Sequence, residues 1–340
     1  LEPPVHRDRR APDYLPREVE LVRGDVRDRA AWERALVGVD AVYHFAAYQD
    51  YLPDFSKFFH VNAVSTALLY EIVVEKQLPI RKIVVASSQA VYGEGKYRCA
   101  AHGVQYPGPR PAEQLAQRVW EVGCPVCSAP MPPEMTDEAV VKPHNTYAMS
   151  KYAEEMIALN LGRRYRIPSV GMRYSITQGP RQSFRNAYSG VLRVFAMQLL
   201  AGERPTVYED GLQLRDYVSV SDVARANVLV LDDSRADYQA FNVGAGQAWT
   251  VLEFAKIMAE AAGRPDLEPL VPGEYRFGDT RHIISDTSSL RALGWEPLGS
   301  PEQSAREYLA WAQAQPDFRN YTVEARTHMQ QVGAVRSQPV

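Results

Sequence analysis

Lys82-Ile83-Val84-Val85-Ala86, running straight into Ser87-Ser88, decides the fold. A continuous apolar run with no polar alternate reads as a strand buried on both faces, which is the habit of a parallel sheet. Parallel neighbours need long crossovers, and the flanking sequence has them. Upstream, 40–45 (Asp-Ala-Val-Tyr-His-Phe) reads as a strand and 55–76 as a long helix. Downstream, 147–165 is helical and 168–173 is another strand. A further strand is expected at 19–22, ending in Gly24-Asp25, then a helix over 30–36 capped by Asp28. Strands alternating with helices predict an α/β fold with a doubly wound parallel sheet.

The second half is mixed. Helices are expected at 186–200, 221–231 (capped by Ser221), 251–262 and 301–312, and strands at 205–208 and 240–243. This organisation gives a first domain over 1–173 and a smaller one over 174–315. Residues 215–245 or so, with the strand near Tyr217 and the Ser221 helix, return to the first domain. A polar tail covers 316–340. The segment 94–138 interrupts the alternation. With Gly93 it holds seven of the 24 prolines and all three cysteines, and reads as an insertion between a strand and a helix.

Composition narrows the function classes. The 340 residues are 46% apolar and 23% charged, ordinary for a globular chain. Thirty-eight Lys and Arg against 41 Asp and Glu give −3, so no basic surface points to nucleic acid. No apolar run is read as reaching the ~20 residues that cross a bilayer, so no membrane partner is expected. Three cysteines cannot build a disulfide framework, which points to a reducing, cytoplasmic setting.

The chemistry centres on Tyr147-Ala-Met-Ser-Lys151. A spacing of four puts Tyr147 and Lys151 one turn apart on one helix face. A phenol is a poor base at neutral pH, and a neighbouring ammonium favours its phenolate. Ser88, at the end of the central strand, is the candidate to hold a substrate hydroxyl, because open parallel sheets bind ligands at their carboxyl edge.

Further blocks extend this pattern: Ser87-Ser88-Gln89-Ala90-Val91-Tyr92-Gly93, Arg173-Tyr174 with Gly179-Pro180-Arg181-Gln182, and Arg215-Asp216-Tyr217-Val218-Ser219-Val220-Ser221-Asp222. In this order they resemble the extended short-chain dehydrogenase/reductase family, and within it the NAD-dependent nucleotide-sugar epimerases and dehydratases. The finer likeness is to dTDP-L-rhamnose 4-epimerase-type members, which carry a similar cysteine-bearing insert. The resemblance implies a Rossmann-like fold, NAD as cofactor, a nucleotide-diphosphate sugar as substrate, and a homodimer built on the 55–76 and 147–165 helices.

It also implies roles. Ser88, Tyr147 and Lys151 match the catalytic trio. Asp25 and Val26 match the pair that holds the adenine, Phe45, Ala46 and Ala47 the segment under the cofactor diphosphate, Asn62 a supporting asparagine, and Tyr174 the nicotinamide side. Substrate contacts fall on Ser88, Tyr147, Asn186, Tyr208, Arg215, Arg276 and Asp279. A diphosphate is met well by guanidinium groups. Gln89-Ala90 stand where related dehydratases carry an acid–base pair, which favours plain 4-epimerisation through a transient 4-keto sugar. Alternatives are a nucleotide-sugar dehydrogenase, reductase or dehydratase, or a silent binding protein. Ile176 stands where many epimerases have a substrate-binding Asn. The family's opening strand and Gly-x-x-Gly-x-x-Gly turn have no match, so the expectation is a chain lacking roughly thirty residues of a βαβ unit, and binding NAD poorly.

Cys99-x-x-His102 and Cys124-x-x-Cys127 form two short-spaced ligand pairs. Their spacing suits a structural zinc site that folds the insert and leaves no open position for catalysis. Its place between Ser88 and Tyr147 suggests a lid over the sugar pocket.

Overall fold

The computed structural model describes residues 12, 14–50, 53–185, 190–316 and 318–320, with isolated residues between 327 and 336. Its central sheet has four parallel strands, in the spatial order Ala41–His44, Lys82–Ser88, Ser169–Tyr174 and Gln239–Val243. Register places Ser88 beside Tyr174, and Tyr174 beside Val243, at the carboxyl edge.

Both faces of the Lys82–Ser88 strand are covered, as its unbroken apolar run requires. Ile83 and Val85 join Leu69, Ile72, Val73 and Ala158 from the helices Phe55–Glu75 and Thr146–Tyr165. Val84 faces the other way, with Val170, Met172, Ala226, Val230 and Trp295. Burying such side chains stabilises by about 1.5–3 kcal/mol each. The Phe55–Glu75 helix is 21 residues long and, by length and hydropathy alone, could cross a bilayer. That corrects the expectation that no run is long enough. Its buried Leu69, Tyr70, Ile72 and Val73 are packed inside the protein.

A second, three-stranded sheet joins Ile176–Gln178, Leu214–Ser219 and Ala248–Thr250. The helices Val191–Leu200, Val251–Ala261 and Pro301–Gln313 build an apolar cluster beside it around Phe195, Tyr217, Phe254 and Tyr308. The insert contains more regular structure than a loop: a hairpin of Tyr97–Cys99 with Gly103–Gln105, and a short helix Ala112–Ala116.

Several expectations need correction. Residues 19–22 pair with no strand among the described residues, and Val19, Leu21 and Val22 are exposed. An isolated β-like run needs a neighbour for its backbone groups, and Ala41–His44 is the sheet edge here. Residues 205–208 make only a single bridge, Thr206 to Leu270. The strand containing Tyr217 joins the small sheet, while the helix Val220–Asp232 and the strand Gln239–Val243 return to the large one. That helix is capped by Ser219, whose Oγ accepts from the Asp222 amide at 3.0 Å, so Ser221 lies inside it. The helix expected from 186 is described from Val191, and Asn186 lies outside the described residues.

Candidate active site

Ser88 closes the central strand with its side chain at the carboxyl edge, where its Oγ accepts from the Ala90 amide at 3.1 Å and caps the turn Gln89–Tyr92. Gln89 and Ala90 thus follow directly, with no carboxyl group in either. Gly93 ends that turn at φ +64°, and a Cβ there would strike the Lys142 carbonyl and the His144 ring. The glycine therefore lets the strand end approach the segment that leads into Tyr147. Asn145 caps that helix, its Oδ1 accepting from the Ala148 amide at 2.8 Å. Such a cap is worth about 1 kcal/mol, and it fixes the first turn, which carries Tyr147.

Lys151 is wholly buried and donates to the carboxylate of Glu154, also wholly buried. Burial pushes the Glu154 carboxyl up to about 7 against the opposing pull of Lys151. His44, at the neighbouring strand end, is pushed down to about 3, first by burial and then by the Lys151 charge. It stays neutral and shares a hydrogen bond with Ser65 Oγ at 3.0 Å.

Asn62 does structural work at the cofactor side. Its amide nitrogen donates to Ser150 Oγ at 2.8 Å and to the Tyr48 carbonyl at 3.1 Å, and its oxygen accepts from the Tyr48 amide at 2.7 Å. One buried side chain therefore ties the loop after Phe45-Ala46-Ala47 to the helix of Tyr147 and Lys151. It lies in a widened π-turn, Phe59–Val64, a feature common at functional sites. Phe45, Ala46 and Ala47 are exposed. Asp25, Arg27, Asp28 and His60 line an open hollow. A hydrogen bond from Arg27 is the main cause holding the Asp25 carboxyl below its usual range, so it is ionised and able to accept from an adenine amino group. An adenosine fits that donor and acceptor set. Val26 gives its carbonyl to the Trp32 indole at 2.7 Å, which fixes the turn beside Asp25. Tyr174 donates to Asn227 Oδ1 at 2.7 Å and meets the Phe45 ring edge-on.

Of the residues expected on the substrate side, Arg215 lies on the second sheet and Arg276 and Asp279 on the loop beyond it, near Tyr208. The Arg276 guanidinium lies 5.3 Å from the Tyr208 ring centroid and donates to Asp279 at 2.9 Å. Arg215 donates to the main-chain carbonyls of Thr280 and Arg281, at 2.8 and 2.9 Å. Ile176 is half-buried against the apolar cluster of the small sheet, a setting for a hydrocarbon.

Sequence reasoning missed the buried charges that bind the insert to this loop. Arg110 grips Glu209 with two hydrogen bonds, at 2.9 and 2.8 Å. Arg281 reaches Glu209, Asp210 and Glu121. Glu94 accepts from the Arg281 amide at 2.7 Å, and burial raises its carboxyl to about 7. The partners are far apart in sequence and follow no period, so only the fold brings them together. Ser87 is likewise structural: its hydroxyl donates to Glu155, which is held by Arg173.

In the insert, Cys99 Sγ lies 3.5 Å from His102 Nδ1 and 3.7 Å from Cys127 Sγ, and Cys124 Sγ lies 3.6 Å from His102 Nδ1. All four ligand atoms fall within 4.8 Å of one another. Ligands about 2.3 Å from a zinc ion form a tetrahedron with sulfur edges of about 3.8 Å, so the set fits. The Val126 amide points at Cys124 Sγ at 3.5 Å, a further stabiliser of a thiolate.

Comparison with known proteins agrees with this architecture. The pattern of the NAD dependent epimerase/dehydratase family matches residues 4–111 and 112–244. A dTDP-L-rhamnose 4-epimerase of Burkholderia thailandensis is 34% identical over 328 residues, 94% of this chain and 88% of that protein. Among solved structures, a Thermotoga maritima UDP-glucose 4-epimerase with UDP-glucose aligns with a TM-score of 0.69 at 26% identity, covering 85% of this chain and 83% of that one. A Thermus thermophilus UDP-glucose 4-epimerase in complex with NAD aligns at 0.66 and 28%, covering 88% and 86%.

Proposed function

The chain belongs to the NAD-dependent epimerase/dehydratase family, and from that premise we propose that it is a nucleotide-sugar 4-epimerase acting on dTDP-L-rhamnose. The observation that carries the reading is the likeness to a dTDP-L-rhamnose 4-epimerase along 94% of the chain. The site is consistent with it: Ser88 stands at the sheet edge, Tyr147 and Lys151 lie on a capped helix, and Gln89-Ala90 offer no carboxyl for dehydration.

Bound NAD would supply a reversible hydride acceptor for C4 of the sugar, so no cofactor would be consumed. The residues that would hold it are Asp25 and Val26 at the adenosine, Phe45 to Ala47 beneath the diphosphate, and Lys151 and Tyr174 nearer the nicotinamide. Tyr147 takes the proton of the C4 hydroxyl as a 4-keto sugar forms, and returns it after that sugar has turned its other face. Ser88 holds the same oxygen. Arg215, Arg276 and Asp279 hold the nucleotide diphosphate end, with Tyr208 under Arg276.

We further infer that Cys99, His102, Cys124 and Cys127 bind a structural zinc. Four protein ligands fold the insert and leave the metal no position for substrate. A homodimer is the reading that suits the exposed Phe55, Val64, Met149 and Met156 on the two long helices. Free thiols as ligands suit a reducing, cytoplasmic setting.

The test is proton NMR of dTDP-L-rhamnose incubated with the protein and NAD in large excess, since the sequence predicts weak NAD binding. A C4 epimer without net reduced nicotinamide is expected, and Tyr147→Phe should abolish it. Turnover of UDP-glucose but not of the rhamnose compound would overturn the substrate. Net release of reduced nicotinamide would favour a dehydrogenase.

A further inference from the structure

We propose that Arg110 and Glu209 form a clamp that positions the nucleotide-diphosphate site, making the cysteine-bearing insert a working part of substrate recognition. The inference rests on the epimerase reading above and adds to it two positioning residues.

Arg110 comes from the insert and is buried. Its fork meets both oxygens of Glu209, and the same guanidinium donates to the Trp120 carbonyl at 3.0 Å and the Asp279 carbonyl at 2.8 Å. One cation therefore joins three pieces of chain: the insert, the turn after Tyr208, and the loop from Arg276 to Arg281. A bidentate pair fixes direction as well as distance.

Glu209 is an unusual choice for its place. Its backbone sits at φ +56°, a left-handed conformation that a residue with a Cβ seldom adopts, and its carboxylate is buried. Such a combination persists only where surrounding bonds over-determine it, and it clusters at binding and catalytic sites. Two arginines do so here, because Arg281 reaches the same carboxylate at 3.0 Å.

The segments so fixed are those that carry the substrate groups. Tyr208 adjoins Glu209, and the Arg276 guanidinium lies over its ring. Arg276 also bonds Asp279, whose carbonyl Arg110 holds. Arg215 is anchored on the carbonyls of Thr280 and Arg281. The charges of Arg110 and Arg281 meet on the buried carboxylate of Glu209, with the partly exposed Glu121 and Asp210 also on Arg281, which makes them positioning residues. Arg215 and Arg276 are the arginines that the substrate reading puts at the diphosphate, and both are held by groups of the loop that Arg110 fixes.

The test compares Arg110→Gln, Arg110→Lys and Glu209→Gln in the full chain. Thymidine diphosphate binding is followed by titration calorimetry, and turnover as KM and kcat. A misplacement of about 1 Å at such a site costs tenfold or more, so Kd and KM should rise about tenfold in Arg110→Gln and Glu209→Gln. The kcat should stay within about twofold, since Tyr147 is untouched. Arg110→Lys keeps the charge without the fork and should recover only part of the loss. Should Arg110→Gln fail to fold, judged by its melting transition, the nearly isosteric Glu209→Gln decides. Unchanged Kd in the folded variants, or a fall in kcat at unchanged KM, overturns the clamp alone. A wild-type chain that binds no thymidine diphosphate overturns the substrate reading, and the clamp with it.

Discussion

Lys151 directs its ammonium at the carboxylate of Glu154, three residues on in the same helix, and neither side chain is exposed to solvent. The cation proposed to favour the Tyr147 phenolate is thus partly neutralised from inside. Replacing Glu154 by Gln leaves the ammonium less opposed, so Tyr147 should ionise at lower pH. The acid limb of kcat/KM against pH should move down, and an unmoved limb would separate Lys151 from the Tyr147 titration. Stability gives a second reading. The Glu154 carboxyl is raised to about 7 by burial, so its contribution is complete below its unfolded value and is lost as pH rises through about 7. Thermal melts at about pH 5 and about pH 8 should therefore differ less for Glu154→Gln than for the wild type.

Asn62 offers a cleaner test of how the cofactor side is braced. Asn62→Ala strips partners from the Tyr48 amide and carbonyl and from Ser150 Oγ. Leaving such groups buried and unpaired costs about 2–4 kcal/mol in all. Asn62→Asp keeps the acceptor for the Tyr48 amide but sets a buried carboxylate oxygen against the Tyr48 carbonyl and Ser150 Oγ, so it should cost at least as much as Asn62→Ala. Denaturant unfolding measures both, and an Ala variant as stable as the wild type would show that these bonds are made equally well by water.

The sequence shows the fold where a single element settles its own fate. The run Lys82–Ser88 has to be buried on both faces, and Asp28 caps the helix that follows it. It shows less where a neighbour decides. The β-like residues 19–22 make no ladder because no strand lies alongside them among the described residues, and Ser219 takes the cap from Ser221 because its backbone is extended there. The site follows the same division. Tyr147, Lys151 and Ser88 can be proposed from the sequence because their spacing is local or a motif carries them. The Arg110–Glu209–Arg281 charges are not, since Arg110 and Glu209 stand 99 positions apart. Nothing in the surroundings of Glu209 in sequence announces a buried carboxylate at positive φ.

The four insert ligands make a prediction that does not depend on turnover. Purified protein should carry about one zinc per chain by elemental analysis. Cys124 is buried in a small cluster with Tyr97, Cys99, Val122 and Met131, too few apolar groups to hold the hairpin unaided. Metal binding should then be much of the insert's folding energy, as in other small metal-held modules. Chelation, or Cys124→Ser, should lower the melting temperature and open the 94–138 segment to protease before the rest of the chain. Because Arg110 and Glu121 reach from that segment to Glu209 and Arg281, the same treatment should weaken thymidine diphosphate binding. Metal-free protein with an unchanged melting temperature and an uncut insert would show that the four side chains are close without holding an ion.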